Sequence, residues 1–153
     1  MSQQLQSTFT VSRVLAAPPS RVFRAFSDFE EKQEWFSGPA DWVQTKATLD
    51  FRPGGLEVNI GGPDEANQSE FYGHYYDIVQ DERIVYTYEM HYAGVKLSVS
   101  LATFEFEPEG DGTRLTLTEH GVFLDGNEDP SLREEGTRMM FDGLAEYIEK
   151  VPA

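Results

Sequence analysis

Two residues in this sequence, Glu119 and His74, are of types that could do acid–base chemistry. Glu119 continues the alternation of Leu115 and Leu117, and alternate side chains of a strand share one face. A carboxylate facing an apolar interior loses hydration, which raises its pKa towards the range of a general acid or base. The pattern leaves three roles open for Glu119: acid–base chemistry, a hydrogen bond to a ligand hydroxyl, or a place at the open end of a sheet where it pairs with an arginine or reaches water.

Tyrosines flank these two residues in the predicted strands. Aromatic residues make up 13% of the chain, more than a small core needs. Tyrosine rings suit the wall of a pocket that is apolar in body and polar at a few points. Alternation predicts that segment 70–79 faces inwards with Tyr72, His74, Tyr76 and Ile78. In segment 83–92 the predicted inward-facing residues are Ile84, Tyr86, Tyr88 and Met90.

Other kinds of chemistry lack the residues they need. The chain has no cysteine, and therefore no thiolate nucleophile, disulfide or cysteine-based metal site. Glu119 and His120 are adjacent on a predicted strand, so they face opposite ways and cannot share an ion. No Gly-x-Ser-x-Gly turn occurs, and no glycine pair opens a helix that could hold phosphate. We therefore predict no metal and no cofactor.

Charge and hydropathy exclude further classes of protein. Acidic residues outnumber basic ones 27 to 12, for a net charge of −15, and the basic residues are scattered. Such a surface disfavours nucleic acid and anionic membranes. No apolar run approaches the roughly 18 residues of a membrane span, and the N-terminus lacks a secretory pattern. We therefore predict a cytoplasmic protein without membrane insertion.

A long helix is predicted at the C-terminal end, because Asp129-Pro130 is a typical helix start and Pro152 ends the pattern. Gly136 and Gly143 fall on its predicted buried face, where they would allow close approach of a strand, a loop or a ligand. The full predicted face is Leu132, Gly136, Met139, Met140, Gly143, Leu144, Tyr147, Ile148 and Val151. Met139 and Met140 suit core packing or an adaptable pocket, with Trp35, Phe36, Trp42 and Phe123 as predicted neighbours.

The rest of the chain predicts strands joined by short turns. Two short helices are expected over 20–26 and 30–36, the second with a capping box formed by Ser27 and Glu30. A change of alternation predicts a bulge near Ala102 and Thr103. Residues 1–7 are predicted to be disordered and 8–151 to form one domain. The predicted strands are 8–14, 44–51, 56–60, 70–79, 83–92, 95–107 and 113–122.

These elements predict an α+β fold. Seven antiparallel strands would form a curved sheet wrapped around the long C-terminal helix, with two short helices after the first strand. A twisted sheet that curls round one helix leaves space between them, so the pattern also predicts a cavity.

The sequence resembles the START-like (SRPBCC) superfamily, whose helix-grip fold wraps a sheet round a helix. More narrowly, it is similar to the group named after the activator of heat-shock-protein-ninety ATPase, described in bacteria as polyketide-cyclase-like. Phe29 departs from the family, which usually has proline there. The matching segments are 17–26 (APPSRVFRAF), 35–36 (WF), 52–55 (RPGG), 82–88 (ERIVYTY) and 112–121 (GTRLTLTEHG). The resemblance implies binding of lipids, hormones, flavonoids or polyketides, and in a minority of members cyclisation or dehydration.

We therefore predict a monomeric or homodimeric protein that binds a small, mostly apolar molecule, lipid-like, aromatic or polyketide-like. One alternative is a cyclase, dehydratase or hydrolase with Glu119 as general acid or base, and His74 or a tyrosine as its partner. A cochaperone-like interaction domain is the other, and it comes from the family name. The predicted ligand-lining residues are Trp35, Phe36, Trp42, Tyr72, His74, Tyr76, Tyr86, Tyr88, Glu119, Phe123, Gly136, Met139, Met140 and Gly143.

Overall fold

The computed structural model describes residues 4–153, which form seven strands and three helices. Neighbouring strands are all antiparallel, in the order β1-β7-β6-β5-β4-β3-β2. The strands are β1 (Gln4–Leu15), β2 (Val43–Leu49), β3 (Leu56–Gly62), β4 (Ser69–Val79), β5 (Arg83–Tyr92), β6 (Val95–Glu109) and β7 (Gly112–Leu124). The helices are α1 (Pro19–Ser27), α2 (Phe29–Trp35) and α3 (Pro130–Lys150).

The core lies between one face of the sheet and the three helices. Phe141, Leu144 and Ile148 of α3 are buried together with Leu115 and Leu117 of β7. The Phe141 ring stacks on Phe104 of β6 at a centroid distance of 6.2 Å. The predicted α+β helix-grip architecture is therefore confirmed. In the part of the chain from residue 4 onwards, no helix combines the length and apolar character needed to cross a membrane.

Strand β4 presents the opposite face from the one predicted. The ladder to β5 skips Tyr76 between Tyr75 and Asp77, so alternation reverses there and Ile78 faces the same side as Tyr75. The prediction assumed unbroken alternation along the whole strand, with Ile78 facing inwards. Because the bulge adds one residue, every side chain before it lies on the face opposite to the one that this assumption gives. The residues that face inwards are Phe71, Gly73 and Tyr75. The predicted inward orientation of Tyr72, His74 and Tyr76 is wrong, and Tyr76 is 63% exposed.

Strand β6 has no bulge at Ala102 and Thr103. Its pairing with β7 is continuous, and its pairing with β5 shifts only at the far end, between Met90 and His91. Even-numbered residues from Ser98 to Phe106 face the core, while Leu97, Val99 and Leu101 lie on the outer face. The predicted bulge arose because apolar residues occupy the outer face and serines the inner face at this end of the strand.

Helix α3 is rotated relative to the predicted face. Leu132 and Met139 are 57% and 66% exposed, and Gly136 is exposed with open space where a side chain would stand. The carbonyl oxygen of Trp35 would lie 3.8 Å from a Cβ at Gly143, which is ordinary contact. The proposed close approach at the two glycines is therefore not observed. The buried face consists of Thr137, Phe141, Leu144, Ala145 and Ile148.

Strand β1 and helix α2 begin differently from the prediction, for identifiable reasons. Strand β1 begins at Gln4 because residues 4–7 pair with 121–124 of β7; residues 1–3 of the predicted disordered segment lie outside the described residues. Helix α2 is capped by Asp28, whose carboxylate accepts a hydrogen bond from the Glu31 backbone N–H at 3.1 Å. The predicted capping box is wrong, because Ser27 is instead the last residue of α1.

Candidate functional site

Glu119 lies on the inner face of β7 and is only 2% exposed. The Tyr88 hydroxyl on β5 donates a hydrogen bond to its Oε2 at 2.6 Å. Burial raises the pKa of Glu119, more than the hydrogen bond from Tyr88 and the charge of Arg133 lower it. The sequence predicted this inward orientation correctly from the alternation with Leu115 and Leu117.

Arg133, near the N-terminus of α3, connects the helix to the Glu119–Tyr88 pair through hydrogen bonds. Its guanidinium donates hydrogen bonds to the Tyr88 hydroxyl at 3.0 Å, to Ser98 Oγ at 2.8 Å and to Glu128 Oε1 at 2.9 Å. The same group lies 5.1 Å from the centroid of the Phe123 ring. Arg133 therefore acts on Glu119 through Tyr88, while its direct ion pair is with Glu128.

Tyr86, beside this cluster, lies among other aromatic residues and is only partly buried. The Tyr86 ring lies 5.9 Å from Tyr88 and 6.0 Å from Phe104. Desolvation is the largest cause of its raised pKa, followed by the charge of Glu119. The side chain nevertheless keeps solvent-accessible surface.

A second buried polar cluster joins α2 to the sheet. Lys32 Nζ donates to Glu57 Oε1 at 2.7 Å, and the Tyr75 hydroxyl donates to the same oxygen at 2.6 Å. The Lys32 ammonium also lies 4.6 Å from the centroid of the Phe36 ring. The sequence does not predict this cluster, because the alternation of Leu56, Val58 and Ile60 places Glu57 on the outer face and no local spacing links residues 32 and 57.

Several residues predicted to line the site do face the interior. Trp35 is buried, and its indole N–H donates to the Ala25 carbonyl oxygen at 2.9 Å. Buried or partly buried members are Trp35, Phe36, Tyr86, Tyr88, Glu119, Phe123 and Met140. The structure does not bring Tyr72, His74, Tyr76, Gly136 or Met139 to this region. Trp42 packs beside Gly38, and Gly143 beside Trp35.

An open groove of about 510 Å³ lies elsewhere, between α1 and the β4–β5 turn. Its floor contains Phe23, Phe51 and Ile78, and Arg24 and Asp81 are on its rim. It is separate from the predicted space between sheet and α3. Among residues 4–153, no three His, Asp or Glu side chains are grouped so that they could hold a metal ion.

A curved antiparallel sheet closed over a long C-terminal helix defines a START-like protein of the helix-grip fold. The model of the family described as "Activator of Hsp90 ATPase homolog 1-like protein" matches residues 16–149, and the chain belongs to this family. Among curated proteins, none matches this chain.

Solved structures of bacterial proteins show the same fold. A protein from Rhizobium leguminosarum is 39% identical, with a TM-score of 0.92 over 98% of this chain and 99% of that one. The Mll3558 protein from Rhizobium loti is also 39% identical, with a TM-score of 0.87 over 95% of this chain and 99% of that one. Protein CV1439 from Chromobacterium violaceum is 28% identical, with a TM-score of 0.75 over 93% and 96% of the two chains.

Proposed function

We propose that this protein binds a small, mostly apolar molecule between the inner face of the sheet and α3, with the Glu119 cluster at the polar end of the site. The observation that carries this proposal is Tyr86. The residue is only partly buried although its ring lies among Tyr88, Phe104 and Tyr75. Space against an aromatic ring in the interior suits an apolar ligand.

Aromatic rings form a continuous row across the inner face of the sheet, and Phe36 at the end of α2 extends it. Phe36 contacts Phe71 at a centroid distance of 5.3 Å, and Phe71 stacks on Tyr88 at 5.1 Å. Tyr86 continues the row from Tyr88 to Tyr75, which lies 5.8 Å further on. Such a row favours flat or aliphatic ligands through contact area, with few directional bonds.

The helix side supplies an adaptable residue. Met140 of α3 is partly buried and packs against the core, while its neighbour Met139 points to solvent. An unbranched thioether side chain adjusts its shape to fill irregular space. Met140 is therefore suited to contact an apolar guest, and Met139 provides a matched control on the same helix.

The test uses the uncharged, polarity-sensitive fluorophore prodan. Wild-type protein is expected to bind it with a blue shift of its emission, because the dye leaves water for an apolar site. Met140→Trp fills part of the space and is expected to reduce the affinity about tenfold or more, whereas Met139→Trp leaves it unchanged. Native mass spectrometry of freshly purified wild-type protein then identifies any molecule that copurifies.

Two results would contradict the proposal. One is the absence of any blue shift with wild-type protein, together with no copurifying molecule. The other is equal binding by wild type, Met140→Trp and Met139→Trp, which would locate the dye outside the space beneath α3. Thermal unfolding of both variants confirms that each remains folded at the temperature of the titration.

A further inference from the structure

We infer that two copies of this chain associate through the outer face of the sheet, the face that lies opposite the three helices. The inference is independent of the proposed ligand site, which lies on the inner face. It comes from three observations on the outer face: a lack of charge, polar side chains that bond to one another, and exposed apolar side chains.

The middle of this face, which we name the central outer face, consists of three rows of side chains that cross the sheet. Strand register places Val99, Leu101 and Thr103 of β6 at the middle of the three rows. None of the members is buried. The first row is Gln6, Val122, Val99, Glu89, Tyr72 and Val58; the second is Thr8, His120, Leu101, Thr87, His74 and Leu56; the third is Thr10, Thr118, Thr103 and Val85.

The central outer face carries far less charge than the rest of the chain. Glu89 is its one carboxylate and none of its members is lysine or arginine, although 25% of all residues are charged. Glu89 is paired with Lys96 at 3.2 Å, and Asp77, at the border of the face, is paired with Arg83.

This distribution of charge fits a second copy as the partner. Two chains that each carry a net charge of −15 repel each other over most of their surfaces, so they can come into contact where carboxylates are absent. A basic partner would be attracted to the acidic surfaces elsewhere and would gain nothing from an uncharged face. The central outer face therefore complements a partner that carries the same negative charge.

Polar side chains on the β1 and β7 side of the face are hydrogen-bonded to one another. His120 Nε2–H donates to Gln6 Oε1 at 3.2 Å, and Nδ1 of the same ring accepts from the Thr8 hydroxyl at 2.6 Å. The hydroxyl oxygens of Thr10 and Thr118 lie 3.5 Å apart. Polar groups that already have partners lose less when water is removed than groups that depend on water. This part of the face is therefore suited to burial in an interface.

The other side of the face exposes large apolar side chains. Leu56 and Leu101 are each 50% exposed, and Val99 is 40% exposed. Strand register places Val58 and Val122 in the same row as Val99. Apolar side chains grouped on one exposed face are typical of a contact surface.

The central outer face is large enough for a specific dimer. Strands lie about 4.8 Å apart and rise about 3.4 Å per residue, so three rows across six strands cover about 600 Å² on each chain. Two copies would bury about 1,200 Å², which is at the lower end of specific interfaces. A two-fold axis would bring the same face of both chains together, with the two sheets about 10 Å apart.

Sedimentation equilibrium of the full chain tests the inference at two salt concentrations. We expect a dimer with a dissociation constant on the order of 10 μM in about 0.5 M NaCl. Association should be about fivefold weaker in about 50 mM NaCl, because less salt leaves the repulsion between the two negative chains unscreened. A contact held by ion pairs would show the opposite dependence on salt.

Variants then locate the contact. Leu101→Glu and Leu101→Lys each place a charge at the middle of the face, and both are expected to weaken association about a hundredfold or more, because like charges would be brought together and lose water. Leu132→Glu is the matched control. Leu132 is 57% exposed on α3, on the other side of the sheet, so the same added charge should change the dissociation constant less than about threefold. Far-UV circular dichroism confirms that each variant is folded.

Several results would overturn the inference. A wild-type chain that stays monomeric at about 0.5 mM protein in both salts would leave the face to solvent or to a different protein. A dimer that Leu101→Glu does not weaken would be joined elsewhere, such as at the free edges of β1 and β2. Tighter association of Leu101→Lys than of wild type would show that net charge, and not this face, controls association. The wild-type measurements and their salt dependence decide the question even if a Leu101 variant fails to fold.

Discussion

Glu119 is a buried carboxyl group that forms no ion pair with any cation among residues 4–153. Arg133 reaches it only through the Tyr88 hydroxyl, and Arg133 also pairs with Glu128. The guanidinium is therefore paired directly with Glu128 and only indirectly with Glu119, and the charge of Glu128 adds to the rise in the pKa of Glu119. This arrangement keeps a proton on Glu119 more readily than an exposed carboxyl group would.

The raised pKa predicts how Glu119→Gln changes stability with pH. Because the folded pKa lies above the ordinary value of 4.5, the folded state binds this proton more tightly than the unfolded state. The contribution of Glu119 to stability is present below pH 4.5 and is lost as the pH rises through the raised pKa. Relative to Glu119→Gln, the wild type should therefore be most favoured at low pH and lose that advantage towards neutral pH. Urea unfolding at a series of pH values measures the difference.

Glu107→Gln is the control for this experiment, because Glu107 is exposed on the same sheet. The difference in free energy of unfolding between Glu107→Gln and the wild type should change little with pH. A wild-type advantage over Glu119→Gln that grows as the pH rises would show that Glu119 is stabilised in its ionised form, contrary to the geometry.

At the scale of elements, the inner faces of the strands depend on where alternation is interrupted. The bulge at Tyr76 reverses β4, so that Tyr75 contributes to the buried cluster while His74 lies outside. Strand β3 shows the same contrast, because Glu57 is buried and Leu56 is exposed. In these strands some polar residues are therefore buried on the inner face while apolar residues lie on the outer face, so this part of the interior is not purely hydrophobic.

The Lys32–Glu57 ion pair joins α2 to β3. Substitutions at the two positions are therefore expected to have coupled effects on the free energy of unfolding. Lys32→Met should destabilise the protein by about 3 kcal/mol, because it leaves Glu57 buried without its cation. Glu57→Gln in the same chain should recover much of that loss, since no unpaired charge remains. A double-mutant cycle by urea unfolding measures the coupling.

Lys46→Met on the exposed strand β2 is the matched control, and its effect should stay within about 0.5 kcal/mol. The stability losses of Lys32→Met and Glu57→Gln could instead simply add in the double variant. That result would show that the two residues are not energetically coupled and that their ion pair does not stabilise the contact between α2 and β3.

The whole molecule carries a net charge of −15, which acts on the fold as self-repulsion. Several ion pairs are exposed and join residues close in sequence, so each of these contributes little. We expect the midpoint of thermal unfolding to rise by a few degrees between about 10 mM and about 0.5 M NaCl, because salt screens the excess negative charge. Differential scanning calorimetry measures the shift. KCl should give the same curve as NaCl, and a midpoint that falls with salt would show that attractive pairs dominate.

The sequence by itself determined the order of the elements, the fold class and the inward orientation of Glu119. These features depend on local physics: turn residues between strands, the Asp129-Pro130 helix start, and alternation in β7, which contains no bulge. Sequence periodicity located α3 but misplaced its buried face, because glycines and methionines carry little information about which side is covered.

Only the tertiary structure decided which polar groups meet. Lys32 and Glu57 are 25 residues apart, and Tyr88 and Arg133 are 45 apart, so no local spacing could pair them. The burial of Ser100 beside Gly121, with no hydrogen-bond partner for its hydroxyl among residues 4–153, likewise follows only from the pairing of β6 with β7. Each of these contacts depends on strand register and helix rotation, which are settled by the packing of the whole chain because neighbouring elements compete for the same interior space.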